Sequence, residues 1–191
     1  HISTDYVFDG TATTPYKEDA VTNPVNTYGA SKLKGEQESF QYNPSSIIIR
    51  TSWVYSAFGK NFVKTIIKLM SERDELKVVN DQVGSPTYAA DLAEVILQII
   101  NKSQSATGNW HPGIYHFSNS GIISWYDFAV AIKEISGSKC NILPIPSSGF
   151  PTPAKRPSYS VFDKEKIQRT FGIVLKDWKE SLRQCIGRMN N

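Results

Sequence analysis

Ser46-Ile-Ile-Ile-Arg-Thr-Ser-Trp-Val-Tyr55 is the stretch that decides the fold. Ile47 to Ile49 form an unbroken β-branched run, typical of a strand covered on both faces; alternation of apolar and polar residues would have implied a half-exposed sheet. On the N-terminal side, Asn26 to about Gln41 is helix-forming and stops at Asn43-Pro44, and His1 to Gly10 reads as a buried strand ending in a polar turn. The polar loop between them, Gly10 to Asn26, is long enough to cover a site.

On the C-terminal side the alternation continues. Asn61 to Arg73 carries Phe62, Ile66, Ile67 and Met70 at helical spacing, and Leu76 to Val79 makes a short strand. A second helix spans Tyr88 to Ile100, capped near Thr87, with Leu92, Ala93, Ile96, Leu97 and Ile100 on one side. A polar linker, Asn101 to Pro112, leads to a strand at Ile114–Phe117, in which His116 reads as a satisfied, half-buried imidazole. Ser124-x-x-Asp127 matches a capping box before a helix through Ile135. Asn141 to Ile145 is a further strand. Pro144, Pro146, Pro151, Pro153 and Pro157 then forbid continuous helix or central strand and predict an ordered loop. Two helices close the chain, one from Asp163 to Phe171 ended by Gly172, the other begun by Asp177 with Glu180 three residues on. Strand and helix in alternation predict an α/β protein.

Composition narrows the function. The 191 residues, 40% hydrophobic, suffice for one core or for a domain with a small appendage. No stretch approaches the ~20 apolar residues of a membrane span, and the expected location is the cytoplasm. The net charge of +3 is uneven, since residues 152–191 hold nine Lys and Arg against four Asp and Glu. That basic segment suits an anionic ligand such as a nucleotide diphosphate, while the absence of Arg-rich runs interleaved with aromatics gives nucleic-acid binding no support. Cys140 and Cys185 form no metal-ligand or redox motif and read as reduced packing thiols. No metal is expected.

The chemistry concentrates in Asn26-Thr-Tyr-Gly-Ala-Ser-Lys-Leu-Lys-Gly-Glu36, where Tyr28 and Lys32 stand four apart on one helical face. A phenol titrates near pH 10, and an ammonium beside it in a site short of water favours the phenolate. Such a pair can run general acid–base chemistry at a carbonyl. Upstream, Ser3, Thr4 and Tyr6 offer three more hydroxyls at a strand end.

Together with Ser3-Thr-Asp-Tyr-Val-Phe-Asp-Gly10, Arg50-Thr-Ser-Trp-Val-Tyr55, Asp81-Gln-Val-Gly-Ser-Pro-Thr87 and Pro151-Thr-Pro-Ala-Lys-Arg-Pro157, this segment resembles the extended short-chain dehydrogenase/reductase family. The resemblance is nearest to the branch that reduces dTDP-4-dehydro-L-rhamnose, and runs along nearly the whole chain. It implies the C-terminal part of a Rossmann-like, doubly wound parallel sheet with a small α/β substrate-binding subdomain. Residues 1–112 would belong mainly to the dinucleotide-binding domain and residues 113–191 mainly to the substrate subdomain. None of the twelve glycines forms the G-x-G-x-x-G or G-x-x-G-x-x-G turn that cradles a pyrophosphate. The family carries that turn N-terminal to the matched region, so the first strands of a reductase are expected to precede His1. The choice of NADH or NADPH, set there, stays open, and so does a homodimer.

By the same resemblance Tyr28 is the proton donor, Lys32 lowers its pKa and holds the nicotinamide ribose, Thr4 orients the substrate carbonyl, and Ser3 lies against the cofactor. Related 4,6-dehydratases read Thr-Asp-Glu where this chain reads Thr4-Asp5-Tyr6, so the base that eliminates water is replaced by a phenol. Trp53, just past a strand end, offers a flat face for a sugar ring, and Tyr6, from its place beside Thr4, is expected to touch the substrate as well. Asn61, Gln82 and Arg156 are candidate ligands for the diphosphate and base, Arg156 because its planar fork suits phosphate oxygens. Two other readings stay open: a 4-epimerase, which needs only Thr, Tyr and Lys, and a non-catalytic subunit similar to the regulatory β subunit of methionine adenosyltransferase.

Overall fold

A computed structural model describes residues 1–104, 110–150 and 156–189. Strand β1 (Ile2–Thr4) runs into a 3-10 turn (Asp5–Val7), and a long loop leads to helix α1 (Thr27–Tyr42). The chain continues through β2 (Ile47–Thr51), β3 (Val54–Tyr55), α2 (Phe62–Glu72), β4 (Glu75–Val79), β5 (Val83–Gly84) and β6 (Thr87–Tyr88). After α3 (Ala89–Gln104) come β7 (Gly113–His116), β8 (Ile123–Ser124), α4 (Trp125–Ser136), β9 (Asn141–Ile145), α5 (Glu165–Phe171) and α6 (Trp178–Met189).

All five residues of β2 are buried, as its uninterrupted apolar start requires, and β2 is the middle strand of a parallel sheet ordered β1-β2-β7. The register pairs Ser3 with Arg50, Thr4 with Thr51, and Ile49 with Tyr115. Smaller pairings complete the architecture: β3 with β6 and β4 with β9 are parallel, β5 with β8 antiparallel. Because β7 returns to the sheet of β1 and β2, that one sheet draws strands from both sides of residue 112.

Among the described residues, three apolar clusters hold these layers. The largest gathers α2, α4, α6, β4 and β9 around Phe128, Ile132 and Leu182. A second packs α3 and α5 on β2 and β7 through Leu92, Val95, Ile99 and Ile167. A third, Val7, Phe8, Tyr16 and Phe162, closes the loop between β1 and α1. The capping box forms as expected, with Ser124 Oγ accepting from Asp127 N and the Asp127 carboxylate accepting from Ser124 N. Gly172 ends α5 in the left-handed conformation, and Asp177 Oδ1 accepts from the amides of Lys179 and Glu180 at the start of α6. Cys140 and Cys185 are buried free thiols.

Several details differ from the sequence reading. The buried face of α3 is Leu92, Val95 and Ile99, and Ala93, Leu97 and Ile100 are exposed. Both sets satisfy helical spacing, and packing on β2 and β7 selects one of them. The expected linker from Asn101 begins later, because α3 continues to Gln104. His116 is completely buried, not half-buried: its Nδ1 donates to Tyr16 O at 3.1 Å, while Nε2 has no hydrogen-bond partner among the described residues. Burial pushes its pKa down to about 3, with the nearby Arg50 charge acting in the same direction. Of the proline-rich loop, residues 151–155 lie outside the described residues. No helix among the described residues is long and apolar enough to cross a membrane, and no His, Cys, Asp or Glu cluster there could hold a metal ion.

Candidate active site

At the carboxyl ends of β1 and β2, where open parallel sheets bind their ligands, lies a cavity of about 820 Å³. Its walls include Ser3 to Tyr6 from β1 and its turn, Asn26 to Tyr28 and Lys32 from α1, and Thr51, Trp53 and Val54 beyond β2, with Arg156 at one side. Asn26 caps α1, its Oδ1 accepting from Gly29 N at 2.8 Å. The absence of a side chain at Gly29 lets the helix start against the 3-10 turn, since a Cβ there would fall 2.1 Å from Tyr6 O. That approach sets the Tyr28 ring edge-on to Tyr6, with centroids 5.5 Å apart and planes at 79°. Tyr28 is 54% exposed. One turn on, Lys32 Nζ donates to Ile2 O at 2.6 Å.

Thr4 is buried at the strand end, where its Oγ1 accepts from Tyr6 N at 3.3 Å and donates to Asp5 Oδ1 at 3.0 Å. Asp5 was not among the residues that the sequence suggested. It is 3% exposed, its Oδ2 has no hydrogen-bond partner among the described residues, and burial pushes its pKa up to about 6 against the bonds from Thr4 and Ser160. Burial also raises the Tyr6 phenol, reinforced by the charge of Asp5 and opposed by that of Arg156. The only signal for Asp5 in the sequence was its place between Thr4 and Tyr6, which says nothing about its desolvation.

Trp53 stands at φ 50°, the one non-glycine residue with positive φ among those described. Strained backbone of this kind persists where the surroundings over-determine it, commonly at functional sites. The surroundings here are Trp125, stacked on Trp53 with centroids 3.6 Å apart and planes at 10°, and Gly84, where a Cβ would come within 2.7 Å of the Trp53 ring. One face of the indole is therefore taken by protein.

Seven of the nine residues singled out in the sequence line this cavity: Ser3, Thr4, Tyr6, Tyr28, Lys32, Trp53 and Arg156. The hydroxyl of Ser3, however, is engaged with Glu36 Oε1 at 2.5 Å. Asn61 and Gln82 do not line it. Asn61 caps α2, accepting from Lys64 N and donating to Ser56 O at 2.8 Å, and Gln82 Nε2 donates to Ser147 Oγ at 3.0 Å. The cap made by Asn61 is a local pattern open to a reading of consecutive residues, whereas the partner of Gln82 lies 65 residues away and is not.

An open parallel α/β sheet with a Tyr-x-x-x-Lys helix at its strand ends defines the class of α/β proteins that bind ligands in a strand-end crevice. Within that class, the chain belongs to the family of the RmlD substrate binding domain, whose model matches residues 1–191. It is 47% identical to the spore coat polysaccharide biosynthesis protein SpsK of Bacillus subtilis over 97% of this chain and 62% of that protein. The solved structure of a dTDP-4-dehydrorhamnose reductase from Clostridium acetobutylicum superposes with a TM-score of 0.92 at 45% identity, covering 100% of this chain and 65% of that one. A dTDP-4-dehydrorhamnose reductase from Bacillus anthracis, solved in complex with NADP, gives 0.89 at 41%, covering 98% and 64%. The chain thus spans somewhat under two thirds of the length of each of these relatives.

Proposed function

We propose that the protein containing this chain reduces the 4-keto group of dTDP-4-dehydro-L-rhamnose to dTDP-L-rhamnose with NADPH or NADH, in the cytoplasm, as a monomer or homodimer. Residues 113–191 would serve mainly the sugar nucleotide and residues 1–112 mainly the dinucleotide. The observation that carries this reading is the meeting of Thr4, Tyr28 and Lys32 on the wall of one cavity. A phenol and an ammonium on successive turns of one helix fit the vicinal hydroxyls of a nicotinamide ribose. The reduced nicotinamide, when bound, supplies the hydride; the chain has to supply the proton and the alignment.

Charge develops on the ketone oxygen during reduction, so donors already in place there stabilise the transition state. Tyr28 would give its phenolic proton to that oxygen, and the Lys32 ammonium would stabilise the phenolate left behind. The Thr4 hydroxyl, held by Tyr6 N and Asp5, would donate to the same oxygen by turning its hydrogen away from Asp5. The part of the Trp53 indole that lines the cavity would carry the sugar ring and Arg156 the diphosphate. Elimination of water is disfavoured, because Asp5 is the one carboxylate lining the cavity among the described residues and Tyr6 follows it.

The test is turnover by the full-length protein. NADPH oxidation that requires dTDP-4-dehydro-L-rhamnose and disappears in Tyr28→Phe supports the reading. Sugar-nucleotide binding without turnover would point to a regulatory subunit, and isomer exchange without net cofactor oxidation to an epimerase; either overturns it.

A further inference from the structure

Helix α1 is anchored in an unusual way for a helix lying on a parallel sheet. Its fully buried residues are Gly29, which has no side chain, and Glu36, which is charged. Glu36 is 3% exposed, and its carboxylate takes three hydrogen bonds: Ser3 Oγ at 2.5 Å and Arg50 Nε at 2.9 Å on Oε1, and an Arg50 terminal nitrogen at 2.7 Å on Oε2. Arg50, 2% exposed, also donates to Glu18 O at 3.3 Å and lies over the Phe8 ring at 5.1 Å.

The placement of these three residues is specific. Ser3 and Arg50 face each other as one rung of the β1–β2 ladder, and the next rung is Thr4 with Thr51. Glu36 therefore clamps the rung adjoining the residue that the proposed chemistry needs. Along the helix, Tyr28, Lys32 and Glu36 stand at i, i+4 and i+8, one face spanning about 12 Å. A paired fork between guanidinium and carboxylate fixes direction as well as distance, whereas apolar contact tolerates sliding and rotation. A buried ion pair is seldom needed for stability alone, since well-packed apolar residues of similar volume serve as well or better. What the pair supplies in addition is a defined rotation of α1 on the sheet.

We propose that Glu36, held by Arg50 and Ser3, is a positioning residue for the reaction: it sets the rotation and height of α1 so that Tyr28 and Lys32 face Thr4. This rests on reading Tyr28, Lys32 and Thr4 as the reacting group.

The experiment uses the full-length protein with Glu36→Asp, the paired variant Glu36→Leu/Arg50→Met, and Tyr28→Phe as reference. Melting temperature, kcat and KM for the sugar nucleotide are measured for each. A displacement of the order of 1 Å costs about 10²-fold in rate. The paired variant is expected to melt near wild type yet lose about 10²-fold in kcat, with KM within a few-fold, a split that a merely structural role would not produce. Glu36→Asp, which keeps the charge and shortens the reach by one methylene, is expected to lose about tenfold or more in kcat while staying folded. If the paired variant does not fold, Glu36→Asp decides by itself. A folded paired variant, or Glu36→Asp, with wild-type kcat while Tyr28→Phe is inactive overturns the positioning role and leaves the function standing. Full activity in Tyr28→Phe removes the reading of the site, and this inference with it.

Discussion

The ammonium of Lys32 donates to the backbone carbonyl of Ile2 at 2.6 Å, tying the Tyr-x-x-x-Lys helix to the strand that ends in Thr4. Tyr28 makes no such tie through its ring, which is half exposed. In the full-length protein Tyr28→Phe is therefore expected to lose roughly 10²–10⁴ in kcat, the usual worth of a positioned general acid. Its melting temperature should stay at wild type, and sugar-nucleotide affinity by titration calorimetry should stay within several-fold. Near wild-type kcat would remove Tyr28 from the mechanism.

Two glycines of α1 should respond oppositely to the same substitution. An alanine Cβ at Gly29 would lie 2.1 Å from Tyr6 O, a backbone atom that cannot step aside, so Gly29→Ala is expected to cost about 1–3 kcal/mol as an overpacked site. At Gly35 the nearest atoms would be those of the His1 ring, at an ordinary 3.5 Å. Gly35→Ala should gain up to ~1 kcal/mol from helix propensity. Urea unfolding of both variants measures the contrast, and equal effects would contradict the close approach of α1 to the 3-10 turn.

Trp53→Ala should raise KM for the dTDP-sugar more than it lowers kcat, because a stacking surface holds substrate and transition state about equally. Trp125→Ala should raise KM too, by less, since Trp125 backs the indole at 3.6 Å and lies behind it. Steady-state kinetics would count against this reading if KM were unchanged in a folded Trp53→Ala protein.

Asp5 makes neutral pH slightly hostile to the fold. Its carboxyl titrates near 3.8 when unfolded and about 6 when buried, so between those values the native state binds more protons and stability falls as pH rises. Above about pH 6 the cost levels off at up to ~3 kcal/mol, from about 1.4 kcal/mol per pKa unit. Asp5→Asn is expected to stabilise the protein at pH 7 and to lose that advantage near pH 4. Melting temperatures across that range check it; an advantage independent of pH would show that Asp5 is not the titrating group.

His116 works with the opposite sign. Its pKa is about 3 in the fold against 6.5 unfolded, so between these values the unfolded state takes up the proton and stability falls as pH drops. The loss amounts to as much as roughly 5 kcal/mol by pH 3. His116→Gln, which has no such proton to take up, should be weaker than wild type at pH 7 and progressively closer to it in acid. Denaturant midpoints between pH 7 and 4 would refute the assignment if the difference stayed constant.

Residue types and spacings decided a large part of this protein without any coordinates. The unbroken Ile47–Ile49 run fixed a strand buried on both faces, because no alternating pattern competes with it, and β2 is wholly buried at the centre of a parallel sheet. The Tyr28 and Lys32 spacing required one helical face, since a helix repeats every 3.6 residues. Ser124 with Asp127 and Asp177 ahead of α6 are local hydrogen-bonding patterns, and local patterns are written in consecutive residues.

Tertiary structure alone decided what depends on residues distant in the chain. Which face of α3 is buried turned on β2 and β7, because Leu97 and Val95 lie on helical stripes that the sequence makes almost equally apolar. Gln82, a polar residue suited to a ligand, was claimed by Ser147 from a distant loop, whereas Asn61 caps α2 through near neighbours, a local pattern. Asp5, Glu36 and Arg50 read as ordinary charges, yet all three are buried, and desolvation is a property of the surrounding atoms. The rung of Ser3 and Arg50 that receives Glu36 exists only once residues 3, 36 and 50 are brought together, so the link between strand and helix belongs to the fold and not to any motif.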